Sequence, residues 1–235
     1  MSTDDRWRPD ILPMYVVCDA GGSTGPDGAD QMNRFAAAMH SWIASDPVMC
    51  DKVLVSTIES SDECATVLPL SNLAQVVAMP GVVARGTSRF GAMFDFVRGR
   101  IEEDVPGLQT RYRCRRPLVL ILTTGRPVDD WTNAWLRLSD PGWKFRPNVV
   151  GVGLPGCDGD VVRRISTVGR PGVPGVTVLA LGSRPSYWPH FLSDFLTDVL
   201  DLRARMYWTE SFTVNEATVG TGDDAVRIVT GTDAH

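Results

Sequence analysis

The run Tyr15-Val16-Val17-Cys18 stops at Asp19 and gives way to Ala20-Gly21-Gly22-Ser23-Thr24-Gly25. A short apolar run of this kind reads as a buried strand. The residues that follow, Met32, Phe35, Ala36, Met39, Trp42 and Ile43, recur at helical spacing and predict a helix that buries one face. Strand, glycine- and hydroxyl-rich loop, then helix is how an open α/β sheet begins, and ligands of such sheets bind beyond the carboxyl ends of the strands. A carboxylate, several hydroxyls and backbone N–H groups would share that edge.

The remaining elements fit the same plan. Residues 52–58 and 65–70 read as two strands, and the link between them is too short for a crossover helix. They are expected to form an antiparallel hairpin. Phe90, Met93, Phe94, Val97 and Ile101 mark a second amphipathic helix. Residues 117–123 are the most continuous apolar run, as suits a central strand covered on both faces. A short stripe of Trp131, Ala134, Trp135 and Leu138 follows, then strands over 148–152 and 176–181 with a helix at Val161, Val162 and Ile165 between them. Trp188, Phe191, Leu192, Phe195, Leu196, Val199 and Leu200 mark the last helix.

The expectation is an α/β fold: a doubly wound, mostly parallel six-stranded sheet with one antiparallel edge strand and helices on both faces. Residues 1–10 read as a flexible start, 11–205 as the domain, and 206–235 as an extension or an edge strand. The sheet order should reverse between the first strand and the 117–123 strand, opening a crevice flanked by Asp19 and Thr124.

Composition narrows the function. A net charge of −5 argues against a general nucleic-acid binder or an anionic-membrane binder. Five scattered cysteines with no C-x-x-C pair argue against a structural zinc site or a disulfide framework. No apolar run approaches the length of a membrane span. The acidic, polar Met1-Ser2-Thr3-Asp4-Asp5 is unlike a signal peptide, and a cytoplasmic location is expected.

Three loops should converge at the strand ends: Asp19 to Ser23, Ala84 to Gly91, and Thr123 to Trp131. One carboxylate with several hydroxyls suits a hard divalent cation such as Mg²⁺. The sequence here resembles von Willebrand factor type A domains, and among them the bacterial tellurite-resistance TerY-like proteins, over residues 12–205. Asp19 and Ser23 match the family's Asp-x-Ser-x-Ser, with Gly21 at the middle serine. Ala84-Arg-Gly-Thr-Ser-Arg-Phe-Gly-Ala-Met-Phe-Asp95 resembles Ala-Arg-Gly-Gly-Thr-Ser-Leu-Gly-Ala-Ala-Leu-Asp. That alignment puts Ser88 at the threonine ligand position, beside Thr87. Thr123-Thr-Gly-Arg-Pro-Val-Asp-Asp-Trp131 resembles Thr-Asp-Gly-Glu-Pro-Thr-Asp-Asp-Trp, with Thr124 replacing the aspartate. The resemblance implies a metal-ion-dependent adhesion site of Asp19, Ser23 and Ser88 that is degenerate at Gly21 and Thr124, holding Mg²⁺ or no cofactor. It further implies a non-enzymatic adaptor or scaffold in a bacterial tellurite or stress response, binding a protein partner at the strand-end face.

The alternative is a nucleotide- or phosphate-binding α/β enzyme that uses the glycine-rich loop after the first strand. In that loop a dinucleotide fingerprint would need glycine where Ala20 stands, and G-x-x-x-x-G-K-[ST] is absent. Glu59 could serve as the ribose-binding acid. Cys157 is either a nucleophile or an inert thiol, and His40 and His190 both fall within helices. Trp131 is either a binding anchor or core.

Overall fold

The computed structural model describes residues 8–167 and 176–180 and the strands at 217–219 and 226–230. The last expected helix and His190 lie outside the described residues. Strand β1 (Asp10–Asp19) leads through a three-residue 3-10 turn (Gly22–Thr24) into α1 (Gly25–Ser45). A six-residue helix, α2 (Pro47–Lys52), precedes β2 (Val53–Ser60) and β3 (Cys64–Ser71). Then come α3 (Phe90–Gln109), β4 (Arg113–Cys114), β5 (Leu118–Thr123) and α4 (Thr132–Ser139). The described chain closes with β6 (Asn148–Gly153), α5 (Gly159–Arg164), β7 (Val176–Ala180), β8 (Ala217–Val219) and β9 (Val226–Thr230).

The sheet runs β3-β2-β1-β5-β6-β7-β9-β8, with β4 paired to the start of β1. Pairings β1–β2, β1–β5, β5–β6 and β6–β7 are parallel, and β2–β3 is the expected antiparallel hairpin. Order therefore reverses at β1, with β2 on one side and β5 on the other.

The sheet exceeds the expected six strands, because nine segments pair into it. β4 has two residues and β8 three, too few to show a period-2 pattern, while β8 and β9 fall within 206–235, the stretch expected to be an extension or an edge strand. Two further antiparallel pairings, β7–β9 and β8–β9, follow from that addition. Helix α2 also went unforeseen. Its start is fixed by Asp46, whose side chain accepts from the N–H groups of Val48 and Met49, a local cap ahead of Pro47.

Alternation along β1 and β5 splits the core into two layers. Met14, Val16 and Cys18 with Leu118, Leu120 and Leu122 pack under Met32, Phe35, Met39 and Ile43 of α1. Tyr15 and Val17 with Val119 and Ile121 pack under Phe90, Phe94, Val97 and Ile101 of α3, with Ala134 and Leu138 of α4. Helices on both faces explain why β1 and β5 read as unbroken apolar runs. The same parity sends the last residues of both strands, Asp19 and Thr123, to the α3 side.

Candidate functional site at the strand ends

Asp19 is fully buried at the end of β1. Ser88, just ahead of α3, donates its hydroxyl to Asp19 Oδ1 at 2.6 Å. Thr123, the last residue of β5, donates to Oδ2 at 2.5 Å. The Gly21 N–H also faces the carboxylate and favours its charged form. Thr123 Oγ1 in turn accepts from the Gly125 N–H at 2.8 Å, and Thr24 Oγ1 donates to the Asp19 carbonyl oxygen at 2.9 Å. Burial pushes the Asp19 carboxyl above its ordinary value, opposed by the Ser88, Thr123 and Gly21 donors and reinforced by the charge of Asp129.

The convergence of three loops is therefore real, and Asp19 and Ser88 meet as the sequence suggests. Ser23 does not join them. It is exposed on the 3-10 turn, and its hydroxyl makes no hydrogen bond among the described residues. Thr87 turns outward, giving both its N–H (3.0 Å) and its hydroxyl (2.7 Å) to Asp62 Oδ1. Those donors hold the Asp62 carboxyl below its ordinary value. Thr124 is buried, and its hydroxyl has no hydrogen-bond partner among the described residues.

Two participants were not singled out from the sequence. Thr123 is one, and strand parity is the signal that finds it. Asp129 is the other: its carboxylate accepts from the N–H groups of Phe90 and Gly91, both at 2.9 Å. It thus caps α3 from another loop, since Arg89 at the N-cap position supplies no side-chain cap.

As a cation site the cluster fits poorly. Its one carboxylate has both oxygens engaged by hydroxyl donors, Gly21 offers no side-chain ligand, and the exposed Ser23 hydroxyl makes no hydrogen bond to the cluster. Thr124 contributes one unpaired neutral oxygen. Among the described residues no group of three or more His, Cys, Asp or Glu side chains is placed to hold a metal. Hard divalent cations need more oxygen ligands and charge than this.

The loop fits a phosphate no better, because most of its N–H groups are already used. Gly22 bonds the Gly86 carbonyl at 2.9 Å, Thr24 bonds the Gly21 carbonyl at 2.9 Å, Gly25 bonds the Gly22 carbonyl, and the Gly21 N–H faces the Asp19 carboxylate. Glu59 is buried and ion-paired to Arg85 at 2.6 Å. A second glycine spacing, Gly151-Val152-Gly153-Leu154-Pro155-Gly156, does satisfy G-x-G-x-x-G. Its first two glycines lie within β6, where packing accounts for them. A Cβ on Gly151 would sit 2.6 Å from the Val162 carbonyl oxygen, and one on Gly153 would sit 2.5 Å from Cys157 Sγ. The six-residue α5 that follows has its first N–H groups capped by Asp158.

Gly21-Gly22-Ser23-Thr24-Gly25 also satisfies the G-x-S-x-G spacing of a nucleophile elbow, between a strand and a helix. That chemistry needs a general base within hydrogen-bond reach of the serine. His40, the one histidine among the described residues, instead donates from Nε2 to the Val76 carbonyl oxygen at 2.7 Å. Burial pushes the Cys157 thiol up, the wrong direction for a nucleophile. Trp131 is core, packed against Phe90 and Phe94 at centroid distances of 6.0 Å, with the Arg164 guanidinium 4.7 Å from its ring centroid.

No family model matches the sequence, and no curated protein does. Solved structures do match. The pilus adhesin SpaC from Lactobacillus rhamnosus GG aligns with TM-score 0.58 and 11% identity over 82% of this chain and 31% of its own. Proximal thread matrix protein 1 from the mussel byssus gives TM-score 0.55 and 14% identity, covering 82% of this chain and 49% of its own. A von Willebrand factor type A protein from Catenulispora acidiphila gives TM-score 0.54 and 11% identity over 80% of this chain and 42% of its own. The chain thus spans under half the length of each of these structures. At such identities the likeness speaks for the fold alone, and that fold is a von Willebrand factor type A-like α/β fold.

Proposed function

We propose that this chain is a non-enzymatic protein-binding module, an adaptor or scaffold, whose strand-end face meets its partner without a metal ion. One observation carries the reading. The Asp19 carboxylate, the group that would do chemistry at this edge, is taken up by the Ser88 and Thr123 hydroxyls, and the N–H groups of Gly22 and Thr24 by loop carbonyls.

What the edge offers outward is surface. Arg85, Thr87, Arg89 and Arg126 are exposed on its loops. Val128 is 67% exposed, while its N–H donates to the Ser88 carbonyl oxygen at 2.9 Å. Arginines beside an exposed apolar residue on loops fixed from beneath suit a protein contact. Two of the structural neighbours are named as an adhesin and a thread matrix protein, which agrees with an interaction role. The sequence resemblance to TerY-like proteins supports a bacterial tellurite or stress-response setting in the cytoplasm.

Capture from the native host by the immobilised protein tests the reading. The partner should be retained equally in EDTA and in Mg²⁺, and lost with Arg126→Glu/Val128→Asp. Capture that requires Mg²⁺, or that survives the double substitution, would overturn it. A nucleotide-binding enzyme would instead gain thermal stability in a nucleotide screen.

A further inference from the structure

We infer that the strand-end site is closed by main chain, and is not merely short of ligands. A Cβ built on Gly21 would lie 2.6 Å from the Ser88 nitrogen, 2.8 Å from its Cα and 2.8 Å from its Cβ. Those atoms are backbone and Cβ, so no rotamer change relieves the contact. Position 21 is glycine because Ser88 occupies the place a side chain there would take.

The approach is held from several sides. The Arg85 N–H donates to the Ala20 carbonyl oxygen at 2.8 Å, and the Gly22 N–H to the Gly86 carbonyl oxygen at 2.9 Å. A Cβ on Gly22 would meet that same Gly86 oxygen at 2.7 Å. On its far side Ser88 is tied to Val128 through main chain, and below it to Asp19 through its hydroxyl. Gly86 takes a positive φ of 61°, with Asp62 packed where a side chain would project, so this turn too is built for glycine.

In this arrangement the two ligand positions compete for one space. A serine restored at 21 displaces Ser88, and Ser88 stands at the other hydroxyl-ligand position of the resembled site. Asp19 thereby acts as a tie between three loops. The inference deepens the reading of a metal-free face and rests on it only in that respect.

Calorimetric titration with Mn²⁺, paired with melting curves, tests it on the full chain. Wild type and Thr124→Asp should show no saturable Mn²⁺ binding. Gly21→Ala, which adds bulk and no ligand, should lower Tm by at least about 4 °C. Gly21→Ser/Thr124→Asp should melt lower still and bind no Mn²⁺, and its failure to fold would agree with the close approach. Micromolar Mn²⁺ binding by Thr124→Asp, or by the double variant with an undiminished Tm, would overturn the closure while leaving the metal-free reading of wild type intact. So would an unchanged Tm in Gly21→Ala. Saturable binding by wild type would overturn both.

Discussion

Gly21 and Ser88 lie so close across two loops that a single methyl group on Gly21 would fall 2.6 Å from the Ser88 nitrogen. A contact of that kind converts the edge of an α/β sheet, the usual place for a ligand, into a joint between segments of the same chain. The Asp19 carboxylate sits inside the joint, with its two oxygens turned to Ser88 and Thr123.

If Asp19 is a tie, removing it leaves the Ser88 and Thr123 hydroxyls without their acceptor. Asp19→Ala should therefore lose about 1–3 kcal/mol of stability in urea denaturation, the desolvation cost of the buried charge offsetting part of a larger loss. Asp19→Asn keeps one carbonyl acceptor and should lose less. Equal or greater stability of Asp19→Ala would contradict the role.

Asp129 caps α3 from outside the helix, accepting from two of its orphan N–H groups. Asp129→Ala should cost about 1–2 kcal/mol, and Asp129→Asn a smaller amount. Hydrogen exchange at Phe90 and Gly91 supplies a local readout, because both amides should lose protection in the alanine variant.

Burial pushes the Cys18 thiol up to about 12 and the Cys114 thiol up to about 11. Cys157 moves in the same direction. Thiolate is the reactive species, so iodoacetamide should alkylate all three in the folded protein more slowly than a free thiol at pH 7.5 or thereabouts. Rapid labelling of Cys157 would revive it as a nucleophile.

Asp62 is held below its ordinary value by Thr87, and the sign of its pH effect follows. The stabilising contribution is present above the unfolded value and is lost as pH falls through the lower, folded one. In a carbonyl-detected NMR titration the Asp62 midpoint should lie below that of an ordinary aspartate. It should rise in Thr87→Ala. An unshifted midpoint in wild type would contradict the hydrogen bonds.

The helices were legible because their apolar residues recur at helical spacing. The 2-residue alternation in β1 and β5 was hidden by burial on both faces, yet run length identified those strands. The hairpin followed from the short Ser61–Glu63 link alone. What the sequence left out depends on pairing at a distance. β4 and β8 are strands only because a neighbour completes their hydrogen bonds. At the site, Asp19 was legible as the carboxylate that ends an apolar strand, and Ser88 through the resemblance of residues 84–95 to the family's pattern. The outward turn of Thr87 toward Asp62 and the cap from Asp129 depend on how loops cross in space. The reason for glycine at 21 appears only when Ser88 is seen beside it.

The most direct test uses Mn²⁺ as a paramagnetic probe in amide NMR spectra of the wild-type protein. The account predicts no selective broadening of Gly21, Ser88 or Gly125 while free Mn²⁺ rises to the concentrations at which exposed carboxylates begin to respond. Selective broadening of those three amides at low Mn²⁺, reversed by EDTA and absent in Asp19→Ala, would contradict it.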